Sequence, residues 1–127
     1  MSDVVGVGVD LCEVDRMRRA LARTPTLADR LFTDAERAYC RARRDPSERF
    51  AARFAAKEAA LKAMGVGLGA CPFRDIEVER APSGQPSLTL HGRASELAAD
   101  RGIVDWQLSL THTSTLAQAT AIAVRAA

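Results

Sequence analysis

Two carboxylates are the first residues whose types and placement could do chemistry. Asp10 ends the apolar run Val4-Val5-Gly6-Val7-Gly8-Val9, and Glu58 lies in an alanine-rich stretch with the period of a helix. Such a pair could hold a hard cation such as Mg²⁺, which takes one or two carboxylates and leaves its remaining positions to substrate phosphates. The plainer alternative has Asp10 capping the next helix and Glu58 paired with Lys62 at i, i+4. Spacing alone leaves both open.

The only lysines, Lys57 and Lys62, fall in the same stretch, just ahead of Gly65-Val66-Gly67-Leu68-Gly69. An ammonium suits phosphate, and glycine lets backbone N–H groups approach a ligand. The loop lacks the GxxxxGK[ST] of a P-loop and follows a helix rather than opening one, so by itself it reads as a helix C-cap and turn. Arg16, Arg19 and Arg23, helped by Arg18, form a basic stripe, and Arg37, Arg41, Arg43 and Arg44 form a second run. Both could be solvated faces, or could dock an acidic protein or a nucleic-acid backbone. With six aromatic residues in all, several in apparent core positions, base stacking is poorly served. His112 ends Ser109-Leu110-Thr111-His112-Thr113; its plain reading is a strand-end histidine bonded to nearby threonines. No serine elbow or Cys/His pairing accompanies it. His91 has no convergent partners and reads as structural.

The elements that must position these groups are legible. The run Val4–Val9 reads as a buried first strand, in which alternation puts Val5, Val7 and Val9 on one face and Gly6, Gly8 and Asp10 on the other. Two glycines on one face mark close approach by another backbone or a ligand. Residues 13–23 form an amphipathic helix with Val14, Met17 and Leu21 inward, ended by Thr24-Pro25. Thr33-Asp34-Ala35-Glu36 matches a capping box opening a helix to about Arg43. Asp45-Pro46-Ser47-Glu48 starts a long helix to Met64, apolar nearly all round and therefore central and buried. Asp75–Arg80 and Ser87–His91 form a hairpin, Ala94–Arg101 a short helix, and Trp106–His112 pairs with Ala117–Arg125. The order β-α-α-α-β-β-α-β-β predicts a single α+β domain over residues 1–127, with a mainly antiparallel sheet around one long helix.

Composition narrows the class. A chain of 127 residues with 47% hydrophobic and 27% charged residues fits one globular domain. No apolar run nears the ~18 residues of a membrane helix. The start, Met-Ser-Asp-Val-Val-Gly, carries no readable signal peptide. Three cysteines, Cys12, Cys40 and Cys71, without CxxC or Cys/His spacing support neither a disulfide framework nor zinc, which fits a cytoplasmic protein. Net charge is +2, with the basic excess in residues 1–64.

Gly6-Val7-Gly8-Val9-Asp10, then Glu13 and Arg16, then Arg53-Phe54-Ala55-Ala56-Lys57-Glu58-Ala59 with Lys62, and Ser109-Leu110-Thr111-His112-Thr113 closely resemble the holo-acyl-carrier-protein synthase family, the short phosphopantetheinyl transferases. Leu31-Phe32-Thr33 and Phe73-Arg74-Asp75-Ile76-Glu77 extend the likeness over nearly the whole chain. The resemblance implies the phosphopantetheinyl transferase fold and transfer of 4′-phosphopantetheine from coenzyme A to a serine of an acyl carrier protein, releasing adenosine 3′,5′-bisphosphate. It implies Mg²⁺ on Asp10 and Glu58, and catalysis by Asp10, Glu58 and His112. It places Arg53, Lys57, Lys62, Gly65, His112 and Thr113 against coenzyme A, and Arg16, with Arg19 and Arg23, against an acidic carrier. It also implies a homotrimer with active sites between subunits, without nucleic-acid or membrane partners. Thr113 stands where some members carry an acidic residue. The base that takes the serine proton stays open among Glu58, His112 and a metal-bound water. The rival from another class, a basic nucleic-acid or acidic-partner module, gains nothing from two carboxylates beside a lysine pair; a third possibility binds coenzyme A without turnover.

Overall fold

The computed structural model describes residues 3–126; Met1 and Ser2 of the N-terminal reading lie outside the described residues. Strand β1 (Val4–Glu13) leads into α1 (Val14–Arg23), α2 (Leu27–Leu31), α3 (Asp34–Arg41) and the long α4 (Ser47–Met64). A 3₁₀ turn at Phe73–Asp75 precedes β2 (Ile76–Arg80) and β3 (Pro86–Leu90); α5 (Gly92–Asp100), β4 (Ile103–His112) and β5 (Leu116–Arg125) complete the chain. The α+β expectation holds, with all strand pairs antiparallel, but there are two sheets, β1-β5-β4 and the hairpin β2-β3. No helix of the described residues is long and apolar enough to cross a membrane.

Helix α4 is the axis of the fold. Its alanines Ala51, Ala52, Ala55, Ala56, Ala59, Ala60 and Ala63 are buried, and they meet Ala117, Ala119, Ala121 and Ala123 of β5, also fully buried. Small residues on both surfaces let helix and sheet approach closely. The approach is closest at β1: a Cβ on Gly6 would lie 1.9 Å from the Ala63 carbonyl oxygen, and one on Gly8 1.8 Å from that of Ala59. The glycines therefore serve the backbone of α4, one of the two reasons the alternation allowed.

Two expectations for β1 need correction. Val5 does not share a face with Val7 and Val9, because a bulge between Val4 and Gly6 turns it toward the core. Nor is the valine face buried: Val7 is 56% exposed and Leu11 59%, with Val4 and Val9 also exposed. Only one face of the three-stranded sheet meets α4. The strand also runs on to Glu13, so α1 opens at Val14, and no side chain caps it. Helix α2, one turn between Pro25 and Thr33, was not read from the sequence; five residues show too little period to register.

Candidate active site

On the β1 edge, Asp10 and α4 build a crevice. The Lys62 ammonium donates to Asp10 Oδ1 at 3.0 Å and to the Val9 carbonyl at 3.0 Å. Both plain alternatives therefore fail: Asp10 caps nothing, and Lys62 reaches across to β1 instead of pairing with Glu58. Among the described residues no hydrogen bond or ion pair holds the Glu58 carboxylate. Burial, then the charge of Asp10, pushes Glu58 above the ordinary carboxylate range, against the opposing pull of Lys62 and Arg16. Two neighbouring carboxylates, of which Glu58 is raised and without a partner among the described residues, form a donor set that a hard divalent cation would relieve. Beside them the Cys12 thiol is pushed up to about 11 by burial and by Glu58 and Asp10, so it is no thiolate nucleophile.

A second cluster sits toward β4, the opposite edge of the same sheet. A cavity of about 280 Å³ is lined by Arg43, Arg49, Arg53, Arg80 and His112, with Tyr39 and Glu48 among them. The Arg49 guanidinium lies 4.0 Å from the centre of the Tyr39 ring and that of Arg53 4.1 Å. Arg80 donates to the Tyr39 hydroxyl. Arg53 is only 5% exposed, and its Nε has no hydrogen-bond partner among the described residues. An orphaned guanidinium N–H beside an arginine-lined cavity is what an absent anion would leave. His112 Nδ1 lies 3.1 Å from Glu48 Oε2, so its partner is a carboxylate and not a threonine.

The 4′-phosphopantetheinyl transferase superfamily model matches residues 6–121, a span that holds both clusters whole. The chain belongs to this family. It is 51% identical over 122 residues to the holo-[acyl-carrier-protein] synthase of Desulforudis audaxviator, covering 95% of this chain and 93% of that protein. It is 47% identical over 115 residues to that of Moorella thermoacetica, covering 91% and 90%. Among solved structures, a holo-(acyl-carrier-protein) synthase from Bacillus anthracis in complex with CoA (3′,5′-ADP) superposes with a TM-score of 0.82 at 30% identity, covering 98% of this chain and all of that one. This transferase chain thus has its family's fold.

Within that frame the expected site residues divide. Asp10, Glu58 and Lys62 come together; Arg53 and His112 come together in the other cluster. Lys57 does not face a ligand. It is fully buried, and its ammonium donates to Glu36 Oε1 at 2.8 Å, to the Phe73 carbonyl at 3.0 Å and to the Ile76 carbonyl. All three protons are used, so contact with coenzyme A is ruled out for Lys57. Gly65 caps α4 with φ +74°; its N–H bonds the Lys62 carbonyl while Val66 N–H bonds that of Leu61, so it offers no N–H to a phosphate. The Thr113 hydroxyl accepts from the N–H groups of Thr115 and Leu116 and shapes the β4–β5 turn. Arg16, Arg19 and Arg23 are exposed on α1, with Arg19 3.5 Å from Asp15. Sequence reasoning missed Tyr39, Glu48, Arg49 and Arg80. The i, i+4 spacing of Arg49 and Arg53 was the available signal for two converging guanidinia.

Proposed function

We propose that the two clusters take opposite ends of one coenzyme A molecule. The reaction is transfer of 4′-phosphopantetheine from coenzyme A to a serine of an acyl carrier protein. The serine oxygen bonds to the phosphorus that carries pantetheine, the P–O bond to the remainder of the pyrophosphate breaks, and adenosine 3′,5′-bisphosphate leaves. The reacting pyrophosphate belongs beside Asp10, Glu58 and Lys62, because charge must be neutralised where the bond breaks. Asp10 and Glu58 would hold Mg²⁺, which when bound withdraws charge from the pyrophosphate oxygens. Lys62, bridging Asp10 and the Val9 carbonyl, supplies a fixed ammonium to the same phosphates. The remaining phosphate of coenzyme A, on the ribose 3′ oxygen, then needs cations elsewhere, and among the described residues Arg49, Arg53 and Arg80 have no carboxylate partners. His112, with Nδ1 committed to Glu48, presents Nε2 to that end. The observation that carries this reading is the unpartnered Glu58 carboxylate next to Asp10.

The exposed arginines of α1 dock the carrier, whose modified serine lies in an acidic surface. The protein works as a homotrimer with active sites between copies; the exposed apolar stripe of Val4, Val7, Val9 and Leu11 is a surface that a neighbouring copy would cover. Three free cysteines suit a reducing cytoplasm. Mass spectrometry of an apo carrier protein incubated with the protein, coenzyme A and Mg²⁺ tests the reading. A phosphopantetheine adduct on serine, absent when Mg²⁺ is chelated, is expected. An unmodified carrier under saturating substrate would defeat it.

A further inference from the structure

The arginine cavity poses a physical problem of its own. The guanidinia of Arg49, Arg53 and Arg80 lie 4.0, 4.1 and 5.7 Å from the centre of one tyrosine ring. None of the three has a carboxylate within ion-pair distance among the described residues. Like charges so close repel, and long side chains hold rotamer freedom that a ligand must quench on binding. Something has to keep them converged.

Tyr39 touches all three by different atoms. Its π face meets the guanidinia of Arg49 and Arg53, its backbone carbonyl accepts from Arg49 at 2.7 Å, and its hydroxyl oxygen accepts from Arg80. Burial alone would push the phenol up, yet the Arg80 hydrogen bond and the charges of Arg53, Arg49 and Arg80 outweigh it and hold the group below its ordinary range. The ring is anchored in turn. Glu36, one helical turn earlier on α3, is fixed by Lys57 of α4 and by the Val78 N–H of β2. The buried pair therefore sets α3 at the height where Tyr39 reaches arginines from α4 and from the end of β2.

We infer that Tyr39 is a positioning residue which holds Arg49, Arg53 and Arg80 as one preformed receptor for a phosphate, the 3′-phosphate of coenzyme A. The inference rests on the two-ended reading of coenzyme A given above. Tyr39 acts through the arginines, so its removal weakens the donor's 3′ end and leaves the chemistry at the pyrophosphate alone.

Steady-state transfer to the carrier tests this with two donors, coenzyme A and 3′-dephospho-coenzyme A, for the wild type, Tyr39→Ala and Tyr39→Phe. For Tyr39→Ala the expected result is a KM for coenzyme A raised about tenfold, with kcat and the KM for the carrier within about twofold. With 3′-dephospho-coenzyme A, wild type and variant should share one KM. Tyr39→Phe keeps the ring and loses only the Arg80 acceptor, so its KM should rise about two- to threefold; it also reports if the alanine variant does not fold. A direct readout without turnover is the thermal shift by adenosine 3′,5′-bisphosphate, which should shrink in both variants, while the small shift by adenosine 5′-monophosphate should not change. An unchanged KM for coenzyme A, or an equal rise for both donors, would overturn the inference. A wild type that transfers nothing would instead sink the reading on which it rests, and the two failures are read separately.

Discussion

Lys57 and Lys62 stand five residues apart on one helix, and their surroundings could hardly differ more. Lys57 is fully buried, between α3 and β2, with every proton of its ammonium given to Glu36, Phe73 or Ile76. Lys62 is 55% exposed on its side chain and bridges to Asp10 across the β1 crevice. Five residues turn a helix by about 500°, so the two point some 140° apart and meet different neighbours. Near Lys57, α3 and the hairpin close over the helix; near Lys62, β1 stops short of covering it. A charge enclosed on all sides holds elements together, and the same charge left half-open is available to a substrate.

The comparison breaks or sharpens under substitution. The largest effect on activity belongs to the open side: Asp10→Ala and Glu58→Ala should each lower Mg²⁺-dependent transfer by more than about 100-fold, with the melting temperature close to wild type. Chelating the metal should reproduce the loss in the wild type, and adding Mg²⁺ should restore it. Near wild-type turnover in either variant would remove the carboxylates from the chemistry.

The largest effect on stability belongs to the closed side. Lys57→Met leaves the Glu36 carboxylate buried without its cation, which costs about 3–5 kcal/mol. At about 3–4 °C per kcal/mol for a domain of this size, the melting temperature should fall by roughly 10 °C or more. A second change, Glu36→Leu, removes the stranded carboxylate and should recover part of the loss; a double variant worse than the single one would contradict the pairing.

On the basic face of α1, the pair Arg16→Glu with Arg19→Glu should raise the KM for the carrier about tenfold, with the KM for coenzyme A unchanged. Rim charges steer encounter and are screened beyond about 8 Å at physiological ionic strength. Added salt should therefore weaken the wild type's use of the carrier and matter less in the double variant. Indifference to both would take this face out of docking.

The smallest effect sits at the rim of the closed side. Glu77 accepts from Thr33 Oγ1 at 2.7 Å and lies 2.9 Å from His91 Nε2. Burial pushes its carboxyl up, but those two bonds and the charges of His91 and Lys57 outweigh it, and the net shift is downward. A depressed carboxylate contributes stability above its unfolded value near 4.5, lost as pH falls through the lower folded value. Glu77→Gln should thus lower the melting temperature by a few degrees at pH 7, about 1 kcal/mol, and the gap should close as the pH falls from 4.5 through the lower folded value. A gap that persists below that value would show that the charge is not what stabilises.

How far the sequence could go follows from the same contrast. Periodicity located every strand and the four longer helices, and glycine on one face of β1 announced the close approach that α4 makes. The carboxylate crevice was readable because the face of a strand and the edge of a helix are local properties, although β1 runs on past Asp10 to Glu13. Burial of Lys57 was not, since it depends on Glu36, Phe73 and Ile76, which are 16 to 21 residues away. The Tyr39 hub was invisible for the same reason: its arginines come from α4 and from the far end of β2. The exposed face of β1 escaped because a valine run looks equally apolar whether another layer covers it or not.

The division between the two lysines is tested most directly by one measurement, the KM for coenzyme A in Lys57→Met and Lys62→Met, taken side by side at a temperature where both variants are folded. The account predicts a KM about tenfold higher for Lys62→Met, since a charge-assisted phosphate contact is lost, and a smaller rise, at most about threefold, for Lys57→Met, which acts only through the seat of α3 under Tyr39. A raised KM in Lys57→Met with none in Lys62→Met would contradict it.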